Sequence, residues 1–325
     1  MKLPRRRFLH LAAGAAALPV LLRDARAEAY PTHLVRWMIG FPPGGAVDIV
    51  ARIMGHWLSE HFGQQFLVEN RAGSGGNIAV AAAINSPPDG YTLLFVAANN
   101  AISASLYKKL PFDFIRDTVP VAGIMRLTNM MVVPTSLPIK TVQDFIDYCK
   151  ANPGKVSYAS PGNGTSPHMS AEFFKALTHV DMVHVPYRGA AIAYPDLISN
   201  KVQVMFDNLP SALEQVRAGT LRGLGVTSPE RWPGLPDIPA IAETVPGFAA
   251  VIFYGISAPK GTPTEIIEVL NKAVAEALRD TKLVARLAET GGVPTPMTPS
   301  EFGKLIADET EKWRKIVEFA GLSVE

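Results

Sequence analysis

Two proline- and glycine-rich turns of this chain have the composition of an anion-binding site. The first, residues 41–48, joins an apolar run to a pattern in which apolar residues recur three and four positions apart, as on one buried helix face. The first N–H groups of a helix have no partner within it, and with the helix dipole they attract an anion. Adjacent glycines let a ligand approach the main chain. We therefore expect ligand contacts from Gly44, Gly45, Ala46 and Val47.

The second turn, residues 160–168, has the same order of strand, turn and helix. Its candidate contacts combine glycines with small and polar side chains: Ser160, Gly162, Gly164, Thr165, Ser166 and His168. Thr165 or Ser166 can cap the helix that follows and can also offer a hydroxyl to a ligand. Two such turns about half a chain apart predict two lobes that face one ligand.

Ser166 and His168 also admit a hydrolase, in which the serine attacks the substrate and the histidine accepts its proton. The sequence shows no third member of a triad, and the spacing differs from the G-x-S-x-G motif. We expect His168 to order its turn and the protein not to be an enzyme. The sequence has one cysteine, Cys149, and no Cys/His cluster has metal-ligand spacing, so we expect neither a metal nor another cofactor.

Polar residues follow two predicted strands at the edge where ligands of α/β sheets bind. Asp207 follows the strand of residues 202–206, and Asn99 and Asn100 follow the strand of residues 91–97. Asp207 either accepts a hydrogen bond from a ligand amine or hydroxyl or holds a neighbouring loop, and the sequence leaves both open. We assign Asn99 to the ligand site.

Charged residues near the turns have two interpretations each. We expect Asp48 to cap the first helix, because a carboxylate in the pocket would repel an acidic ligand. Arg71 and Arg188 could clamp a carboxylate or could tie down loop carbonyls. Neither arginine lies inside the two ligand turns, so we favour main-chain N–H groups as the principal donors.

Strand and helix patterns alternate along almost the whole chain, which is typical of a parallel α/β sheet covered by helices. The chain has 325 residues, 48% of them hydrophobic and 18% charged, and is long enough for two ordinary domains. Two long apolar runs, residues 119–133 and 249–258, can cross between them. We predict one lobe of residues 28–128 and 253–325 and a second lobe of residues 129–252.

Residues 1–27 have the pattern of a signal peptide, with a basic start, an apolar run and Ala-Arg-Ala at its end. Residues 5–9, Arg-Arg-Arg-Phe-Leu, match the twin-arginine pattern, and a Sec signal is the alternative. This segment holds six of the 31 Lys and Arg residues and one of the 29 Asp and Glu residues, so the remainder has a net charge of −3. That charge indicates neither a nucleic-acid partner nor a polybasic membrane surface.

Several short motifs occur along the chain in one order, among them FPPGG at 41–45, VENRAGSGG at 68–76, PDGYTLL at 88–94, VPYRG at 185–189, FDN at 206–208 and PKGTP at 259–263. In this series the chain resembles the Bug receptors, the extracytoplasmic solute-binding proteins of tripartite tricarboxylate transporters. Each motif alone is weak, whereas the ordered set is specific and covers nearly all of the chain after residue 27.

The resemblance implies a periplasmic binding protein fold with two α/β lobes, two crossing strands and a ligand cleft between the lobes. It implies that one ligand carboxylate is held by residues 41–48, including Phe41, and by residues 160–168, through N–H groups, small hydroxyls and waters. It further implies a monomeric periplasmic receptor that passes its solute to integral-membrane permease subunits. A periplasmic sensor for a signalling partner is the alternative function.

Overall fold

The structure is a computed structural model that describes residues 30–324, and residues 33–324 belong to one compact unit. The predicted signal peptide therefore lies outside the described residues. The strands are β1 Val35–Ile39, β2 Phe66–Asn70, β3 Thr92–Ala97, β4 Thr118–Pro134, β5 Ser157–Ser160, β6 Val183–Pro186, β7 Val204–Asn208, β8 Leu221–Val226, β9 Val251–Pro259 and β10 Val293–Met297.

The α-helices are α1 Ala46–Phe62, α2 Asn77–Ile84, α3 Ala98–Leu106, α4 Phe114–Asp117, α5 Val142–Ala151, α6 Ser166–Thr178, α7 Ala190–Ile198, α8 Leu209–Arg217, α9 Thr264–Ala277, α10 Thr281–Glu289 and α11 Pro299–Phe319. Short 3₁₀ helices cover Ser74–Gly76 and Ile241–Glu243. None of the helices within the described residues is long and apolar enough to span a membrane.

The strands form a mixed sheet in the order β2-β1-β3-β9-β4-β7-β5-β6, with β10 and β8 also paired to β4. The predicted parallel pairing holds for β1 with its two neighbours and for β5 with its two neighbours. Strands β4 and β9, which contain the two long apolar runs, run antiparallel to every partner. The α/β fold class is confirmed, with β4 and β9 in the centre of the sheet.

Strand β4 is unusually long, and its partners change along its length. Thr118–Thr128 pair with β9, whereas residues from Asn129 onward pair with β7 and β8. Almost all of its side chains are buried, because both faces of the strand are covered. This one strand therefore connects the half of the sheet that contains the first ligand turn with the half that contains the second.

Apolar clusters cover the sheet, and one of them anchors α6, the helix that leads away from the second ligand turn. Phe145, Phe174, Phe206 and Phe248 belong to one cluster, around β7 and α6. Another cluster joins β1, β3, β9 and α11 through side chains that include Met38, Leu94, Phe253 and Phe302. Burial of Phe174 fixes α6 on the sheet, and α1 likewise buries one apolar face, which includes Val50 and Met54.

Some local predictions need correction. Asn99 and Asn100 belong to the first turn of α3, and not to a strand end, because α3 starts immediately after β3. The side chain of Asn100 accepts a hydrogen bond from the Ala97 N–H at 2.9 Å, which supports that helix start.

Candidate ligand-binding site

The first ligand turn presents the N–H groups of Gly45, Ala46 and Val47 at the start of α1. Gly45 is the N-cap residue, and no side chain caps the helix there. Within residues 30–324 no hydrogen bond engages these three N–H groups, and the first bond into the helix runs from the Ile49 N–H to the Gly45 carbonyl at 3.0 Å. The dipole of this 17-residue helix adds partial positive charge at the same point. The turn thus offers three free donors to an anion.

Asp48 does not cap α1, contrary to the sequence-based expectation. Its carboxylate accepts a hydrogen bond from the Gly44 N–H at 3.1 Å, from the Asn70 amide at 2.9 Å and from the Arg52 guanidinium at 2.8 Å. Burial by itself would raise the pKa of Asp48, but these bonds outweigh it and hold the pKa below its ordinary value. The amide of Asn70 also donates to the Phe41 carbonyl at 2.9 Å. Asp48 therefore braces the turn from behind.

The second ligand turn uses more of its own donors than the sequence predicted. The Thr165 hydroxyl accepts from the His168 N–H at 3.5 Å and donates to the Gly162 carbonyl at 2.7 Å. The Thr165 N–H also donates to Gly162, and the Gly164 N–H donates to Nδ1 of His168, each at 3.3 Å. The N–H groups of Gly164 and Thr165, from which we expected ligand contacts, are therefore engaged within the turn itself. Among Gly164, Thr165 and Ser166, only Ser166 has an N–H group without a hydrogen-bond partner within residues 30–324.

The Ser166 hydroxyl belongs to a network that reaches both central strands. It accepts a hydrogen bond from the Asn208 amide at 2.9 Å, so its own hydrogen is available for an acceptor such as a carboxylate. The same amide donates to the side-chain oxygen of Asn129 on β4 at 2.6 Å. The Tyr254 hydroxyl, on β9, donates to the Asn208 side-chain oxygen at 2.9 Å. These long-range bonds orient Ser166 towards the cavity described below.

Two histidines stack behind the second turn. The rings of His168 and His184 lie 4.3 Å apart, and His184 stacks on Tyr158 at 4.7 Å. Nε2 of His184 lies 2.6 Å from the Ser160 hydroxyl, and Nδ1 of His168 accepts from the Gly164 N–H. Burial lowers the pKa of His168 to about 4 and that of His184 to about 3. Both rings are therefore neutral near pH 7 and hold the turn by hydrogen bonds.

A narrow cavity lies between the two ligand turns. Its wall contains eight of the predicted residues: Phe41, Gly45, Ala46, Val47, Asn99, Thr165, Ser166 and Asp207. Nine further wall residues were not predicted: Pro42, Ala97, Ala98, Pro161, Pro167, Ala190, Asn208, Ile252 and Tyr254. No lysine or arginine is among them.

Five predicted site residues lie outside this wall: Gly44, Ser160, Gly162, Gly164 and His168. The bonds described above show that they shape the two turns. Among the residues that the prediction missed, Asn208 could have been found from its place beside Asp207 at a strand end. Tyr254 carried no such signal, because it lies within an apolar run and reaches the cavity only through the antiparallel pairing of β9.

Asp207 is completely buried at the end of β7. Its carboxylate accepts hydrogen bonds from the Tyr194 hydroxyl and, at 2.5 Å, from the Ser211 hydroxyl. Burial raises the pKa of Asp207, while the bonds from Ser211 and Tyr194 act in the opposite direction. The sequence left two roles open for Asp207. The observed bonds correspond to the second role, because they hold the neighbouring helices α7 and α8.

The two candidate arginine clamps lie away from the cavity wall. Nε of Arg71 pairs with the Glu69 carboxylate at 2.7 Å. Arg188 is exposed and borders a separate, larger cavity. A carboxylate in the smaller cavity would therefore be met by N–H groups and hydroxyls.

We looked at the possible metal ligands and at the thiol in the part of the chain that the structure describes. No group of three or more His, Cys, Asp or Glu side chains there is placed to hold a metal ion. Cys149 is buried, and burial raises the pKa of its thiol to about 12.

A mixed α/β sheet with two helix N-termini beside one cavity is the architecture of a periplasmic binding protein. The family model described as "Tripartite tricarboxylate transporter family receptor" matches residues 50–322. The chain belongs to this family of solute-binding receptors, and the resemblance to the Bug receptors is confirmed.

Relatives match over nearly the full chain. The UPF0065 protein in the tcbD-tcbE intergenic region of Pseudomonas sp. strain P51 is 38% identical over 91% of this chain and 88% of its own length. Protein BugT of Bordetella pertussis is 34% identical over 92% of this chain and 93% of its own. The structure of R. palustris Rpa4515 with adipate has a TM-score of 0.88 at 36% identity and covers 90% of this chain and 99% of that one. For MatC from Rhodopseudomonas palustris with bound malate, the TM-score is 0.84 at 29% identity, over 89% of this chain and 100% of that chain.

Proposed function

We propose that this chain is an exported periplasmic receptor that captures a small carboxylate-bearing solute in the cavity between the two ligand turns. The observation that carries the proposal is the set of free donors at the cavity: three N–H groups from Gly45 to Val47 and the Ser166 hydroxyl. Donors held on rigid helix ends bind a carboxylate well, since charge-assisted hydrogen bonds are about twice as strong as neutral ones. Relatives with adipate and malate bound support this ligand chemistry.

A thermal-shift screen tests the ligand class. The panel contains adipate, malate, citrate, glutamate and benzoate, with putrescine as a cationic control. A ligand that binds only the folded state raises the melting temperature. We expect at least one acid to raise it and putrescine to leave it unchanged. A screen in which no acid stabilises the protein, or in which putrescine stabilises it equally, would contradict the proposal.

We infer that the receptor does not transform its ligand. His168 uses Nδ1 within its own turn, and no hydrogen bond within residues 30–324 joins it to Ser166. The serine thus lacks a base that could take its proton. NMR of a stabilising acid after long incubation with the protein should show the acid unchanged, and a new resonance proportional to protein concentration would refute this inference.

We also propose that the two lobes comprise residues 28–128 with 253–325 and residues 129–252. The change of partners along β4 between Thr128 and Asn129 supports the first boundary. Ligand capture then closes one lobe on the other, as in other hinged binding proteins. Solution scattering with and without a stabilising acid should show a smaller radius of gyration in the bound form.

The proposed partner is the integral-membrane permease of a tripartite tricarboxylate transporter, to which the loaded receptor delivers its solute. Family membership supports this partner. A pull-down from membranes in the presence of a stabilising acid should recover permease subunits. Recovery of a sensor kinase in their place would favour the sensing alternative.

A further inference from the structure

A third glycine-rich turn, residues 73–76, lies in main-chain contact with the segments that carry both ligand turns. A Cβ added at Gly40, at the end of β1, would lie 2.5 Å from Cα of Gly76. A Cβ added at Gly75 would lie 2.2 Å from the carbonyl oxygen of Asn163, in the second ligand turn. The third turn therefore acts as a spacer between two backbones, and its thickness sets how closely the ligand turns approach.

Side chains of α3 and its C-terminus hold the second ligand turn against this spacer. The Tyr107 hydroxyl donates to the same Asn163 carbonyl at 3.2 Å. A Cβ at Gly164 would lie 3.0 Å from Cδ2 of Leu106. Because the carbonyl oxygen of Asn163 belongs to the backbone, it cannot rotate away from a larger residue at Gly75. Any such residue must displace the turn itself.

A second close contact joins the first ligand turn to the start of α7. A Cβ at Gly189 would lie 2.3 Å from Cγ of Pro42, which is part of the cavity wall. Gly189 has a φ of 167°, an extended conformation open to any residue. A side chain at this position is therefore opposed only by the contact with Pro42.

We infer that Gly75 and Gly189 are positioning residues for ligand capture, because they allow the two ligand turns to reach the separation at which both contact one carboxylate. The inference rests on the proposed function. Each contact joins a segment of the first half of the sheet to a segment of the second half. Enlarging either glycine should hold the turns apart while leaving the core of each half intact.

Alanine variants separate this effect from backbone strain. Gly75 has a φ of 60°, and Gly63, at the end of α1, has a φ of 64° with no atom within 4 Å of an added Cβ. Gly63→Ala therefore carries the same strain without the contact. In calorimetric titrations with adipate and malate, we expect Gly75→Ala to bind about ten-fold or more weakly than Gly63→Ala, since displacing one turn removes charge-assisted bonds. We expect the two variants to melt at similar temperatures.

The second contact allows a rescue experiment. Gly189→Ala should weaken binding by a similar factor, and adding Pro42→Ala removes the ring atoms that oppose the new methyl group. The double variant should therefore bind as well as Pro42→Ala alone. A double variant that binds as weakly as Gly189→Ala would show that the contact with Pro42 is not the cause.

Spin labels measure the separation directly. Cys149 is buried, so cysteines introduced at the exposed positions Glu60 and Lys201 can be labelled selectively. With adipate or malate, Gly75→Ala should show a longer label distance than Gly63→Ala. Equal affinities and equal distances in the two variants would overturn the inference. If wild type binds no acid of the panel, the proposed function fails, and the ligand-free distances decide: a longer distance in Gly75→Ala supports the spacer role, and equal distances overturn it.

Discussion

Replacement of Gly45 by valine tests whether main-chain donors hold the ligand. Gly45 has φ −90° and ψ 167°, a conformation that valine adopts readily. The nearest atom to an added Cβ is the Pro42 carbonyl oxygen at 4.0 Å, so the Cβ atom meets no clash. Because Gly45 lies in the cavity wall, we expect the valine methyl groups to obstruct close approach of a carboxylate to the N–H groups of Ala46 and Val47.

The expected loss of affinity follows from the bonds that are obstructed. A hydrogen bond to a charged group contributes about 1.5–3 kcal/mol, and about 1.4 kcal/mol corresponds to a factor of ten in affinity. Losing one such bond should therefore weaken binding about ten-fold or more. The cost to folding should be on the order of 1 kcal/mol, the usual effect of a poor N-cap residue, which leaves the protein folded. Gly45→Ala should give an intermediate affinity.

Calorimetric titration with the acid that stabilises wild type most, together with urea unfolding of each variant, measures both quantities. Arg71→Ala and Arg188→Ala are the matched controls, because both arginines lie outside the cavity wall, and we expect them to bind as wild type does. The reasoning is refuted if Gly45→Val binds normally while an arginine variant loses binding at an unchanged free energy of unfolding. That result would assign the carboxylate to an arginine clamp.

Ser166→Ala should weaken acid binding about ten-fold, because a hydroxyl donor to the carboxylate is lost, and it should change the melting temperature little. If calorimetry finds wild-type affinity for this variant, the Ser166 hydroxyl is not a donor to the ligand. Below pH 6.5 the unfolded chain protonates His168 and His184, whereas the folded chain keeps them neutral down to about pH 4 and about pH 3. For each of the two histidines, the free energy of unfolding should therefore fall by about 1.4 kcal/mol for every pH unit below pH 6.5. A free energy of unfolding from urea titrations that stays constant between pH 7 and pH 5 would contradict this. Mass spectrometry should find the exported form starting near residue 28, and replacing Arg5 and Arg6 by lysine should block export; undiminished export of that variant would favour the Sec route.

The amino-acid sequence by itself determined the features that depend on a few neighbouring residues. A helix after each ligand turn and a cap for α6 at Thr165 or Ser166 follow from local turn, capping and periodicity signals, and the structure places that cap at Thr165. The alternation of strands and helices likewise predicted the α/β class, since each apolar face must be buried against another element. Both ligand turns were therefore located before any tertiary contact was known.

The tertiary structure decided which groups of those turns remain available to a ligand. Asp48 looked like a helix cap, but Asn70, 22 positions further along the chain, fixes it behind the first turn. Tyr254 lies in an apolar run and reaches the cavity only because β9 runs antiparallel to both β3 and β4. Such contacts join residues far apart in the chain, so their outcome depends on strand order and direction. Local periodicity carries no information about either, which is why the two turns were predictable, whereas the role of Asp48 and the place of Tyr254 in the cavity wall were not.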